Sequence, residues 1–223
     1  MTPLVRSAAY TACQALQNQG LIVNRSHLSE IISALLGYQT YAALAVEEDN
    51  QALDYHLDDA EILVLNQPLG WLRTEQFYAG GESMVVTSCI EAIRGHADSI
   101  AVFVGVEAFY NDYAREVLSE VMAEGVDTAD SNASYPYLPE MDIECPAAEN
   151  LWASLSEWSI TAGGEMSGEY DPDGDRMYNG HLVIGHGTLL YMKAGRAGLV
   201  FQDTDGAGGV DDSWRDDDYT DAP

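Results

Sequence analysis

Val106–Gly125, VEAFYNDYAREVLSEVMAEG, reads as a helix standing between a largely helical first half and a β-rich second half. Tyr110, Tyr113, Ala114, Val117, Leu118 and Val121 recur at three- and four-residue spacing, one apolar stripe on a 3.6-residue period. Gly125 ends it. On the flank of that stripe Asp112, Glu116, Glu120 and Glu124 follow at four-residue intervals, climbing one side with about 6 Å of rise per step. Like charges at this spacing cost roughly 0.2–0.5 kcal/mol per pair, and Arg115 is the only cation in the run. Negative charges repeated every few ångström are also what a nucleic-acid backbone presents to proteins that grip it with Lys and Arg. The ladder therefore has two readings, a phosphate-mimicking surface or the solvated face of an acidic helix.

Upstream, Thr2–Gln19 reads as a helix with Thr2 as N-cap, Pro3 in the first helical position, Gly20 as the stop and Leu4, Ala8, Ala12 and Leu16 as its stripe. Ser26 is placed to cap a second helix, His27–Leu36, with Glu30 near capping-box position and Gly37 ending it. Thr40 caps a third, from Tyr41 to Glu47 or a little beyond. Leu28, Ile31, Ile32, Leu35, Leu36, Tyr41 and Leu44 form the expected core of this hairpin, with His27 as a first-turn surface residue. SHLSEIISALLGYQTYAAL, Ser26–Leu44, resembles a short helical module at the N-terminus of some glyoxalase-related and plasmid- or integrative-element-encoded proteins. The resemblance covers about a fifth of the chain and rests on core and cap residues. It implies an origin on a mobile genetic element and no chemistry; no glyoxalase pattern of metal ligands follows it.

EEDNQALDYHLDDAE, Glu47–Glu61, holds seven acids and no Lys or Arg. Ile62–Leu65 is a strand by its apolar run, Pro68 and Gly70 turn the chain, and Trp71–Tyr78 is a short helix. Met84–Ile93 has the β-branched content of a strand, while Met84, Ser88 and Ala92 fit a helix capped by Ser83, and the helix is the favoured reading; Ser99–Val104 is a strand leading into the acidic helix. Asp127–Pro146, rich in proline, is a surface or linking loop. From Trp152 the runs WSITA, EMSGEY, HLVIG, GTLLYMK and GLVFQ, separated by glycines or by DPDGD, suggest an antiparallel meander of four or five strands. Asp203–Pro223 reads as a mobile acidic tail. The expected fold class is thus α+β: a small N-terminal helical module (1–48), an α+β body (49–202, helical to about 126 and β-rich from about 150), and a tail (203–223).

The 223 residues carry a net charge of −28, and its distribution is regional. Before Glu47 the single acid is Glu30, against Arg6 and Arg25; every other acid lies beyond. Adaptation to high salt also produces acidic, lysine-poor chains, and Lys193 is the sole lysine here, but it would coat every surface, which the neutral first segment argues against. With 47% apolar and 9% aromatic residues the charge rides on a packed scaffold. No apolar run reaches a membrane span, and the N-terminus lacks the pattern of a signal peptide, so a cytoplasmic protein without membrane contact is expected. A field this negative repels nucleic acid and steers cationic partners into encounter.

Little in the chain points to catalysis. Cys13, Cys89 and Cys145 are odd in number and far apart, without zinc-ligand spacing, and read as reduced, buried thiols. EYDPDGDR (169–176) alternates Asp171, Asp173 and Asp175 as a calcium loop does, but Arg176 stands where that loop needs glycine and Leu182 where it needs glutamate; a proline-aspartate-glycine hairpin turn explains it more simply. His181 and His186 fall on opposite sides of a strand. No nucleophile elbow, phosphate loop or zinc-protease motif occurs. No metal, no cofactor and no enzymatic activity are therefore expected, although an enzyme with an unrecognised site is one alternative. The favoured reading is an acidic inhibitor similar in class to anti-CRISPR and antirestriction proteins, occupying the nucleic-acid surface of a basic host-defence protein such as a CRISPR effector subunit or restriction enzyme. An antirestriction protein or plasmid accessory protein is the other alternative. Its partner-binding residues would be Asp112, Glu116, Glu120 and Glu124, with Asp211, Asp212, Asp216, Asp217 and Asp218 around Trp214 as an aromatic anchor.

Overall fold

The computed structural model describes residues 3–78, 80, 82–128, 132–146, 151–173 and 181–211. Its architecture is α+β, helices with a mixed sheet rich in antiparallel strands. Helices α1 (Pro3–Asn18), α2 (Arg25–Leu35) and α3 (Tyr41–Glu48) precede β1 (Ile62–Leu65), α4 (Gln67–Glu75), α5 (Glu82–His96) and β2 (Ala101–Val104). Then come α6 (Val106–Phe109) and α7 (Arg115–Gly125), joined by a π turn over Tyr110–Ala114, and the strands β3 (Val126–Asp127), β4 (Ala133–Ser134) and β5 (Glu140–Met141). The chain closes with β6 (Glu157–Ser167), β7 (Glu169–Tyr170), β8 (Leu182–Ala194) and β9 (Gly198–Val210).

Two packing units result, the first drawn from Met1–Phe109, Glu149–Trp158 and Tyr191–Phe201. In it α1 lies against α2 and α5, and α2 against α4 and α5. The expected stripe of α1, Leu4, Ala8, Ala12 and Leu16, is buried, as are Leu28, Ile31, Ile32, Leu35, Leu36 and Leu44. β1 pairs in parallel with β2 from Ile62↔Ala101 to Leu65↔Val104 and antiparallel with the start of β9. All four of its residues are buried, which is why it reads as a continuous apolar run rather than an alternation.

Four local expectations in this unit are corrected, the first being Ser83, which lies inside α5 and does not cap it. The cap of α2 is Asn24, whose side chain accepts from Ser26 N at 3.0 Å; Glu30 serves the next helix instead, accepting from Tyr41 N. Pro68 and Gly70 do not turn the chain but lie inside α4, with Pro68 in the first helical turn, where its missing N–H costs nothing. Gly70 is there for proximity, since a Cβ would stand 2.4 Å from Leu35 Cδ2. His27 is half-buried and stacks on Phe77, ring centroids 4.2 Å apart.

The second unit is drawn from Tyr110–Ala148, Ser159–Leu190 and Gln202–Pro223. Here β9, β8, β6 and β5 follow one another in hydrogen-bonded order, β3 pairs in parallel with β9 at Val126↔Gly208, and β4 pairs with β7. The runs read as separate strands merge: WSITA and the start of EMSGEY belong to β6, HLVIG and GTLLYMK to β8. β9 runs on to Val210, so Asp203–Val210 are strand and not the start of a tail.

Glycines produce both misreadings, and packing explains them. A Cβ at Gly187 would stand 2.6 Å from Leu118 O and one at Gly206 2.3 Å from Val121 O, both on α7, while one at Gly185 would meet Ala207 O of the neighbouring β9 at 2.4 Å before reaching Met122 Cε at 2.9 Å. Gly125 meets Gly206 backbone to backbone. These glycines are not breaks between strands. They form a bare track on which α7 lies with its main chain close to the sheet, and they are tolerated in strand interiors for that close approach.

Candidate functional site

α7 and the π turn before it carry the acidic ladder, and the glycine track decides which way the ladder faces. Tyr110, Ala114, Leu118, Ser119, Val121 and Met122 are buried, whereas Asp112, Glu116, Glu120 and Glu124 are all exposed. The π turn shifts the phase of the stripe. Its bonds run from i to i+5, one residue more than an α turn, so Tyr113 and Val117 are half-buried instead of joining the core. The regular ladder is consequently Glu116, Glu120 and Glu124 on α7, with Asp112 set off within the π turn.

The segment 135–146, expected as a plain loop, is fastened beside this helix. Ser119 Oγ donates to Pro139 O at 2.5 Å and Tyr110 Oη to Asp142 O at 2.5 Å, and burial holds the Tyr110 phenol above its ordinary value. β5 then pairs with β6 through Glu140↔Glu165 and Met141↔Gly164. An open cleft of about 630 Å³ lies between α7 and this segment, lined among others by Arg115, Glu116, Tyr137, Leu138, Glu140 and Glu165. Nothing in the residue pattern announces it. It depends on a two-residue strand in a proline-rich stretch, below what periodicity resolves.

Among the described residues of this unit Arg115 is the single Lys or Arg, against exposed acids that include Asp127, Asp142, Glu144, Asp203 and Asp205 besides the ladder and the cleft. Asp211 does not swing free: its N–H donates to Leu182 O at 2.8 Å and the residue is half-buried. Asp212, Trp214, Asp216, Asp217 and Asp218 lie outside the described residues.

The remaining candidates come out as follows. Asp171 Oδ1 accepts from Asp173 N and Asp171 N donates to Asn132 O, so this part of EYDPDGDR is engaged in turn and backbone bonds; 174–176 lie outside the described residues. His181 and His186 are both exposed, His186 within β8. No group of three His, Cys, Asp or Glu suited to a metal ion occurs among the described residues. Cys89 is buried, which pushes its thiol up to about 12, while Cys13 and Cys145 are only half-buried. No helix among the described residues is long and apolar enough to cross a membrane.

One polar cluster in the first unit has no counterpart in the motifs of the sequence. Lys193, 4% exposed, donates from Nζ to Arg196 O at 2.8 Å. Arg196 Nε donates to Glu47 Oε2 at 3.3 Å, and Tyr38 Oη to Glu47 Oε1 at 2.8 Å. Burial lowers Lys193 to about 7 against the pull of Glu47, and burial together with Glu47 raises Tyr38. The cluster ties the turn between β8 and β9 to α3 and reads as structural. Its one sequence signal is the sole lysine sitting in an apolar strand. Comparison of the whole chain with known families, curated proteins and solved structures finds no match.

Proposed function

We propose that this chain is an acidic inhibitor that binds a basic nucleic-acid-binding protein by phosphate mimicry, the expected partner being a subunit of a crRNA-guided effector and the alternative a restriction enzyme. One observation carries the reading: Glu116, Glu120 and Glu124 are all exposed on a helix fixed to its sheet by backbone-close packing. With the backbone of the row already fixed, ordering on contact with Lys and Arg is confined to the glutamate side chains, which favours a competitor for a phosphate site. The resemblance at Ser26–Leu44 supports a mobile-element origin and hence host defence as the setting, with the cytoplasm as the compartment.

Tagged protein incubated with lysate from cells carrying restriction and CRISPR systems is expected to retain a basic nucleic-acid-binding subunit at low salt and release it as salt rises. The double variant Glu116→Lys/Glu120→Lys is expected to abolish retention with the helix content unchanged. Full retention by that variant sinks the proposal.

A second reading has its own support. The sole lysine is buried, leaving no lysine on the surface, as in a salt-adapted protein without an inhibitory role. That reading expects no specific retention and a fold that requires molar salt.

A further inference from the structure

We propose that the cleft beside α7 seats an arginine-bearing segment of the basic partner, with the guanidinium held by Glu140 and Glu165 and stacked on Tyr137. The inference rests on the mimicry reading and names the contact chemistry of its partner. Glu140 and Glu165 are register partners across β5 and β6 and are both exposed. Like charges directly opposed across strands repel, so this pair is a standing cost that one cation between them relieves. Glu116 lines the same cleft, and Arg115 is its one cation against these three carboxylates.

Charge alone accepts any cation; the apolar part of the lining narrows the choice. Tyr137 and Leu138 are 75% and 57% exposed, yet the bond from Ser119 to Pro139 O anchors the segment that carries them. The Tyr137 ring is thus presented to solvent on a segment whose backbone is held at Pro139. Guanidinium is planar, less strongly hydrated than ammonium, stacks on aromatic faces and engages carboxylates in pairs, so ring and paired carboxylates together select arginine over lysine. Leu138 offers an apolar contact for the residue beside it, which favours a peptide segment over a free small cation.

The test uses the full chain and two fluorescein-labelled peptides, one alternating arginine with leucine, the other lysine with leucine, followed by anisotropy at low salt. The arginine peptide is expected to bind about fivefold more tightly than the lysine peptide. Glu140→Gln/Glu165→Gln is expected to weaken the arginine peptide about tenfold and Tyr137→Ala about threefold. Both variants change exposed residues and retain the parent circular dichroism. Glu120→Lys/Glu124→Lys, which alters the ladder outside the cleft, separates the two proposals. If only that variant loses the peptide, the ladder reading survives and the cleft is overturned. Equal affinity for the two peptides also overturns it, and so does a dimer of the parent protein that the Glu140→Gln/Glu165→Gln change dissociates, because the occupant is then a second copy. If neither set of variants affects binding, both readings fail.

Discussion

At Gly187 and Gly206 a single methyl group would collide with the main chain of α7, 2.6 Å from Leu118 O and 2.3 Å from Val121 O. Neither neighbour is a side-chain tip that can swing away. Gly187→Ala and Gly206→Ala are therefore expected to destabilise the fold by about 1–3 kcal/mol each, read as lowered urea midpoints. Gly95, late in α5, is the control, because a Cβ added there would meet nothing within 4 Å. Gly95→Ala is expected to leave stability unchanged or raise it by about 0.5 kcal/mol. Lys193 couples stability to pH. Its ammonium is lowered to about 7 from 10.5 by burial, so between those values the unfolded chain binds more protons and stability rises with pH. The rise is cleanest between pH 7 and about 8.5; above that the raised Cys89 and Tyr38 retain protons in the folded state and pull the other way. Lys193→Met is expected to flatten the slope over pH 7 to about 8.5, measured by urea unfolding across pH. An unchanged slope would show that Lys193 stays charged beside Glu47.

Among the elements, those whose burial follows one face are legible in the sequence. α1, α2, α3 and α5 lie within a few residues of the expected spans, and the runs at Ile62 and Ser99 are recognisable as strands because their apolar residues are contiguous. What sequence does not reveal is glycine used for closeness. Gly70 inside α4, and Gly185, Gly187 and Gly206 inside strands, look like turns until the partner surface is known. The π turn at Tyr110–Ala114 is equally hidden, since an extra residue in a helix leaves the composition of its stripe intact while rotating part of it out of the core. The same limit hides the cleft: β5 is two residues long and its placement depends on Ser119, a polar residue in an apolar stripe. Ser119→Ala leaves the Pro139 carbonyl without this donor and is expected to cost about 1–2 kcal/mol. Hydrogen exchange checks the location of the effect, with amides at 140–142 expected to exchange faster while those of α5 do not change.

For the whole molecule, the charge that suggests a function in the sequence also sets its response to salt. The expected acidic bias falls where the described residues of the second unit offer only Arg115 as a Lys or Arg, but its supposed tail contributes a strand, and Asp212 to Asp218 remain a sequence argument alone. Binding and folding then respond to salt in opposite directions. Screening weakens attraction to a basic partner, and it also relieves repulsion among exposed carboxylates, because the Debye length falls from about 30 Å at 0.01 M to about 3 Å at 1 M. Glu120 isolates the second effect, standing four residues from Glu116 and four from Glu124 on α7, so that one substitution removes both like-charge pairs. Glu120→Gln is expected to raise stability by roughly 0.4–1 kcal/mol at 0.01 M salt and by almost nothing at 1 M. Thermal unfolding of parent and variant at the two salt concentrations decides the matter. A gain that persists at 1 M would place the effect in helix propensity or packing rather than charge, and would remove the repulsive ladder as a reason for a cation to bind there.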